Sequence, residues 1–163
     1  MSMIGNYRRL TEGELNALLA NPETIAEFLY SDEGQADMDK QLDVDKAWHA
    51  IHYLLNETVW GGNEPLVNVV LGGVPVSEED VGYGPVRYLR SSQVIETYKA
   101  IQFFSSEQLW LRFNADALKS AKIYPGFEGG EEDKEYICGN FEKVKYFFEV
   151  AASKKEAMLL YFN

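Results

Sequence analysis

The sequence is poor in cysteine, histidine and basic residues. Its 163 residues include one cysteine, two histidines, and 15 lysines and arginines against 26 aspartates and glutamates, which gives a formal net charge of −11. A lone cysteine, Cys138, excludes an internal disulfide and suits a reducing compartment, so we expect a cytoplasmic protein. No apolar run approaches the roughly 20 residues that a membrane-spanning helix needs.

The shortage of basic residues also limits the classes of partner. Nucleic-acid binding relies on lysine and arginine side chains that displace counterions from phosphates, and the sequence has no basic patch. The same excess of negative charge disfavours an anionic membrane surface. We therefore expect neither a nucleic acid nor a membrane as a partner.

What the chain does contain is enough apolar material for one core. Apolar residues make up 46% of it and aromatic residues 13%, which is more than a disordered chain carries. One domain typically takes about 100–200 residues, and no linker or repeat divides this chain. We predict a single domain over residues 1–163.

Strand patterns occur in the N-terminal, middle and C-terminal parts of the chain, at residues 4–10, 86–89 and 157–162. Helical patterns fill much of the rest, the longest from Glu131 to Lys154, while residues 31–42 and 72–85 read as loops. Strands and helices do not alternate regularly, so the pattern predicts an α+β fold rather than a parallel α/β sheet. We expect a small mixed sheet of about three strands, covered by about six helices.

The negative charge is concentrated near the start. Residues 11–45, hereafter the acidic segment, contain ten acidic residues and one lysine, for a net charge of −9. A surface of this kind keeps a protein soluble, and it also attracts a basic protein over about 8 Å at physiological salt. We therefore predict that the partner, if the protein has one, is a basic protein.

Both histidines fall in a helix predicted from Val44 to Leu55. At about 100° per residue, Asp45, His49 and His52 lie within roughly 60° of arc beside the core residue Trp48. Two imidazoles and a carboxylate can ligate a metal, but the spacing lacks the His-x-x-x-His pattern and glutamate of zinc proteases. The alternatives are a helix cap at Asp45 and a packed His52. We predict no metal site, no cofactor and no catalytic residue.

Aromatic residues near loops add to this candidate site, because tyrosine and tryptophan often anchor contacts. One tyrosine lies in the glycine-rich segment Gly72–Pro85, and another lies in the turn Ile123–Gly126. The resulting candidate ligand-binding set is Asp45, Trp48, His49, His52, Tyr83 and Tyr124.

Several motifs together resemble the YfbM-like family of small bacterial proteins of unknown function. The most specific is Leu-Asp-Val-Asp-Lys-Ala-Trp at 42–48, followed by His-Tyr-Leu-Leu at 52–55. Weaker matches are Met-Ile-Gly at 3–5, Leu-Gly-Gly at 71–73, Tyr-Leu at 88–89 with Val94, and Ile-Tyr-Pro-Gly at 123–126. The resemblance implies a single α+β domain in the bacterial cytoplasm and brings no established activity.

Two functions follow as hypotheses. The first is a non-enzymatic interaction protein, of inhibitor or immunity type, that binds a basic partner through the acidic segment. The alternative is a ligand-binding or enzymatic protein with a pocket around His52 and the Gly72–Pro85 segment, and this requires His52 to face a concave surface. Either function is compatible with a monomer or a homodimer.

Overall fold

The computed structural model describes residues 2–163 and contains five strands and eight α-helices in that range. The strands are β1 (Gly5–Leu10), β2 (Gln41–Asp43), β3 (Val74–Asp80), β4 (Pro85–Leu89) and β5 (Ala157–Phe162). The helices are α1 (Glu12–Ala20), α2 (Ile25–Tyr30), α3 (Asp32–Ala36), α4 (Trp48–Asn56), α5 (Ser91–Ile101), α6 (Ser106–Leu111), α7 (Ala115–Ser120) and α8 (Glu131–Ser153). Short 3-10 turns cover residues 22–24, 38–40 and 66–69.

The five strands form one sheet in the order β2-β1-β5-β4-β3, and every neighbouring pair is antiparallel. The single-domain α+β fold is confirmed, but the prediction of about three strands in a mixed sheet is wrong. Strand β2 has only three residues, and β3 lies in the segment that we assigned to a loop. Within β3 only Val76 is buried, so this edge strand lacks the alternation that identifies a strand in a sequence.

The central strand β5 and its neighbour β1 are buried on both faces. Alternate residues of β5 contribute to two separate cores, which explains its nearly continuous apolar sequence. Helices α4, α5, α6 and α8 contribute to the larger core, for example with Trp48, Val94, Leu109 and Phe141. Helices α1 and α2 cover the other face with Leu15, Leu18, Ile25 and Leu29.

The helix boundaries follow local signals in part. Thr11 and Glu14 form the capping box that the sequence predicts at the start of α1, and the predicted long helix is α8. Residues 31–42, predicted as a loop, contain α3 and the first two residues of β2. Helix α3 is one reason why the described residues contain eight α-helices and not about six. Among residues 2–163, no helix combines the length and the apolar character that crossing a membrane requires.

Candidate functional site

Helix α4 begins at Trp48, four residues later than predicted. Asp45 adopts a left-handed backbone with φ of +50°, which cannot continue into a helix from Val44. The carboxylate of Asp45 accepts a hydrogen bond from the Tyr136 hydroxyl at 2.7 Å, and the same hydroxyl accepts one from the backbone N–H of Lys46 at 2.9 Å. Asp45 therefore joins this loop to α8 and does not cap α4.

Both histidines lie inside the protein rather than along an exposed helix edge. His49 and His52 are only 1% and 0% exposed, because α4 is covered by the 66–69 turn, α6 and α8. The helical-wheel prediction holds for His49 and His52 but is wrong for Asp45, which lies before α4, and the sequence pattern does not reveal that other elements cover the two histidines. The candidate pocket therefore lacks the accessible imidazole that it requires at His52.

The ring of His49 is held by backbone groups on both nitrogens. The backbone N–H of Tyr124 donates to Nδ1 at 2.9 Å, so Nδ1 is an acceptor and Nε2 carries the proton. Nε2 in turn donates to the carbonyl oxygen of Val59 at 3.1 Å. Burial lowers the pKa of His49, and protonation of Nδ1 would place an N–H against the N–H of Tyr124. His49 thus fastens two loops to α4 as a neutral ring.

His52 lies one turn further along and has one side-chain partner. The Asn56 side chain donates to Nδ1 at 3.3 Å, and Nε2 has no hydrogen-bond partner within residues 2–163. Burial lowers the pKa of His52 to about 4. The nearby backbone of Gly61 partly opposes this lowering of the pKa, although it forms no well-formed hydrogen bond with Nε2. His49 and Arg87 lower the pKa of His52 further.

The structure brings three of the predicted residues into one aromatic stack. The Trp48 ring lies 4.8 Å from His49 and 5.9 Å from Tyr124, measured between ring centroids. Trp60, which is 63% exposed, stacks on His49 at 4.6 Å, and the ring of Phe162 lies 4.4 Å from that of Trp48. The stack joins α4 to the end of β5 and to two loops, which is a packing role.

The remaining predicted residues lie apart from this stack. Tyr83 is half-buried in the β3–β4 turn, where its backbone N–H donates to the Phe162 carbonyl oxygen at 3.1 Å. In the part of the chain that the structure describes, no three histidine, cysteine, aspartate or glutamate side chains are grouped to hold a metal ion. Asp45, His49 and His52 therefore do not form a ligand triad.

A concave site lies on the opposite face of the sheet, in the acidic segment. It is a cleft of about 560 Å³ between β1 and helices α1–α3. Its lining combines one buried cation, apolar side chains and acidic side chains, and the residues are Arg8, Glu14, Ala17, Leu18, Asn21, Thr24, Glu27, Phe28, Ser31, Glu33 and Gly34. Its volume falls within the range of about 300–1,000 Å³ that is common for ligand sites.

Arg8 forms part of the cleft wall and is held by two contacts. Its Nη1 donates to the carbonyl oxygen of Gly34 at 2.6 Å, and its guanidinium lies over the Phe28 ring at 5.0 Å. Gly34 is required here because a Cβ atom at this position would overlap the Phe28 carbonyl oxygen. The α2–α3 corner therefore sets the position of the guanidinium.

The acidic segment covers this face of the sheet with mostly solvated carboxylates. Only two of its ten acidic residues form salt bridges within residues 2–163: Glu12 with Arg90 at 3.0 Å and Asp37 with Lys40 at 3.5 Å. Eight are exposed: Glu23, Glu27, Asp32, Glu33, Asp37, Asp39, Asp43 and Asp45. Most of the negative charge of the acidic segment is thus presented to solvent, from helices α1–α3 to Asp45 beside α8.

Sequence reasoning missed Arg8, Phe28 and Gly34 as site residues. A signal was present: Arg8 and Arg9 are adjacent in a strand between Tyr7 and Leu10, so alternation places one on each face of the sheet. Arg9 finds Glu156 on its side at 2.6 Å. The sequence does not show what lies opposite Arg8, because α3, which brings Gly34 to it, lies in residues 31–42, which were predicted as a loop.

Comparisons with known proteins agree on one family. A family model described as "Domain of unknown function (DUF1877)" matches residues 1–161. Protein YfbM of Escherichia coli (strain K12) is 24% identical over 135 residues, which cover 81% of this chain and 78% of that protein. The crystal structure of a protein of unknown function, YfbM from Escherichia coli, superposes with a TM-score of 0.73 at 22% identity, covering 98% of this chain and 99% of that one.

Proposed function

We propose that this chain, which belongs to the family described as "Domain of unknown function (DUF1877)", is a non-enzymatic protein that binds a basic partner. The family membership confirms the YfbM-like resemblance. The binding surface is the acidic segment, residues 11–45. The proposal assigns the protein to the inhibitor or immunity type of interaction protein, which acts by covering a basic surface.

The observation that carries the proposal is the set of eight exposed acidic side chains in the acidic segment. Like charges that lie near each other repel, and this repulsion costs stability even where the charges aid solubility or binding. A cationic partner would relieve that repulsion, steer the encounter and make binding sensitive to salt. The segment also contains the cleft of about 560 Å³, which gives the surface a shape that a solubilising coat does not need.

The packing of the histidines supports a binding role over a catalytic one. His49 uses both ring nitrogens for backbone contacts, and His52 is enclosed. Neither imidazole is therefore free to exchange a proton with a substrate at the surface. The proposal places function on the acidic segment and assigns a packing role to the histidine helix.

The test is recovery of a partner from a lysate of the source cells by the immobilised protein. The variant of the acidic segment, hereafter the layer variant, carries Glu27→Gln, Asp32→Asn, Glu33→Gln and Asp39→Asn. The control variant carries Glu135→Gln and Glu149→Gln in α8, which are exposed and belong to the opposite helical layer.

We expect the wild type and the control variant to retain the same basic protein at about 0.1 M salt and to release it at about 1 M, where the Debye length falls from about 10 Å to about 3 Å. The layer variant should retain much less of it. A partner that the layer variant retains equally well, or that ignores salt, contradicts the proposal.

A further inference from the structure

Arg8 is a buried cation without an ionic partner. The residue is 6% exposed, yet no carboxylate oxygen within residues 2–163 lies within 4.0 Å of its guanidinium. Its Nε is buried and has no hydrogen-bond partner within residues 2–163, as is also the case for Nε of Arg9. The contacts that it does have, the Gly34 carbonyl and the Phe28 ring, satisfy hydrogen bonding in part and leave the charge uncompensated.

The neighbouring residue in the same strand, Arg9, has a carboxylate that compensates its charge. Arg9, also 6% exposed, forms an ion pair with Glu156 at 2.6 Å on the opposite face of the sheet. Burying a charge is costly unless it is paired, so proteins rarely leave a guanidinium in this state. Arg8 lacks such a carboxylate and borders an open cleft. A partner for Arg8 can therefore come from outside the chain.

The composition of the cleft restricts what that partner can be. A guanidinium is suited to a carboxylate, which it binds with two parallel hydrogen bonds. Three glutamates, Glu14, Glu27 and Glu33, also line the cleft, and their charge would repel a simple anion. A ligand that fits both features carries a carboxylate for Arg8 and a cationic group for the glutamates. Ala17, Leu18 and Phe28 supply an apolar wall for the stem between them.

We propose that the cleft between β1 and α1–α3 binds a carboxylate joined to a cationic group, as in a basic amino acid. Two sources share this chemistry: the free amino acid, and the basic C-terminal residue of a peptide. The carboxylate pairs with Arg8, and the cation lies among the glutamates. The site does not depend on the protein-binding proposal, because a small molecule can occupy it alone.

The experiment titrates the whole protein with a set of matched probes. Calorimetry and the chemical shifts of the backbone amides measure the binding of each probe. L-Lysine and 6-aminohexanoate contain both charged groups, L-lysine amide lacks the carboxylate, and hexanoate lacks the cation. The tripeptide Ala-Ala-Lys, with a free or an amidated C-terminus, tests the peptide source.

We expect lysine and 6-aminohexanoate to bind and to shift the amide signal of Gly34. Loss of the carboxylate should weaken binding about tenfold or more, since a charged hydrogen-bonded pair is lost. Binding by the free tripeptide but not by lysine assigns the site to C-terminal residues, and the reverse assigns it to the free amino acid. Lysine amide that binds as tightly as lysine overturns the proposal, as does the absence of binding by every probe.

Two variants separate the roles of the cleft residues. Arg8→Gln should abolish the discrimination between lysine and its amide. If that variant fails to fold, Glu27→Gln with Glu33→Gln remains, since both side chains are exposed. It should weaken lysine binding while leaving hexanoate binding no weaker, and the α8 control variant should match the wild type. Equal loss for both probes would contradict the assignment of the glutamates to the cationic group.

Discussion

Acidification should destabilise the protein through His52. The pKa of this ring is about 4 in the folded protein, against about 6.5 in an unfolded chain, because burial disfavours the charged imidazolium. Between these values the unfolded chain binds more protons than the folded one, so stability falls as pH falls. The contribution is present in full above the unfolded-chain value and is lost as pH falls through about 4. At one pKa unit per about 1.4 kcal/mol, the loss by pH 4 is about 3 kcal/mol.

Urea denaturation at a series of pH values measures the effect. Carboxylates also titrate in this range, so the informative quantity is the difference between the wild type and His52→Gln. The drop in unfolding free energy between about pH 7 and about pH 4 should be about 3 kcal/mol smaller in the variant.

NMR of the imidazole protons gives an independent check, because the chain has only two histidines. The His52 signal should remain that of a neutral ring at about pH 6. A His52 signal that titrates near 6.5, or equal pH dependence in the wild type and the variant, would refute the reasoning.

Two further predictions concern stability on the two faces of the sheet. Glu156→Gln breaks a buried ion pair and should cost about 3–5 kcal/mol, whereas Glu96→Gln, in a pair that is mostly exposed, should cost under about 1 kcal/mol. Gly34→Ala places a Cβ against the Phe28 carbonyl oxygen and should cost about 1–3 kcal/mol, while Gly139→Ala, in open space within α8, should be neutral or stabilising by up to about 1 kcal/mol.

Chemical denaturation of the four variants checks both predictions. Equal costs for the two glutamate variants would show that the ion pair of Glu156 is not effectively buried. A Gly34→Ala variant as stable as the Gly139→Ala variant would show that the α2–α3 corner relaxes easily, and the cleft wall would then not be rigid.

The sequence predicts well those strands and helices whose pattern of apolar residues follows directly from how they are buried. Strand β5 is apolar throughout because both of its faces are covered, and α8 repeats its buried residues at helical spacing. Strand β3 was missed because it is an edge strand with charged, exposed residues at 78–80. Strand β2 is too short to show any period.

The candidate site shows a different limit. The sequence pattern predicts Asp45, His49 and His52 on one helical stripe, but Asp45 lies before α4, and the burial of the two histidines depends on parts of the chain outside the helix. Tyr124 reaches His49 across 75 positions. The charge of the acidic segment was visible without a structure, whereas the environment of Arg8 depends on the close approach of Gly34 to β1.

The central claim is that the acidic segment is a binding surface, and the most direct measurement is the dissociation constant of the purified basic partner at low and high salt. The account predicts that the layer variant binds more weakly than the wild type at low salt and that this difference shrinks as salt screens the charges. The α8 control variant, with half as many charges removed, should bind like the wild type. Equal affinity of the layer variant and the wild type at low salt would contradict the claim.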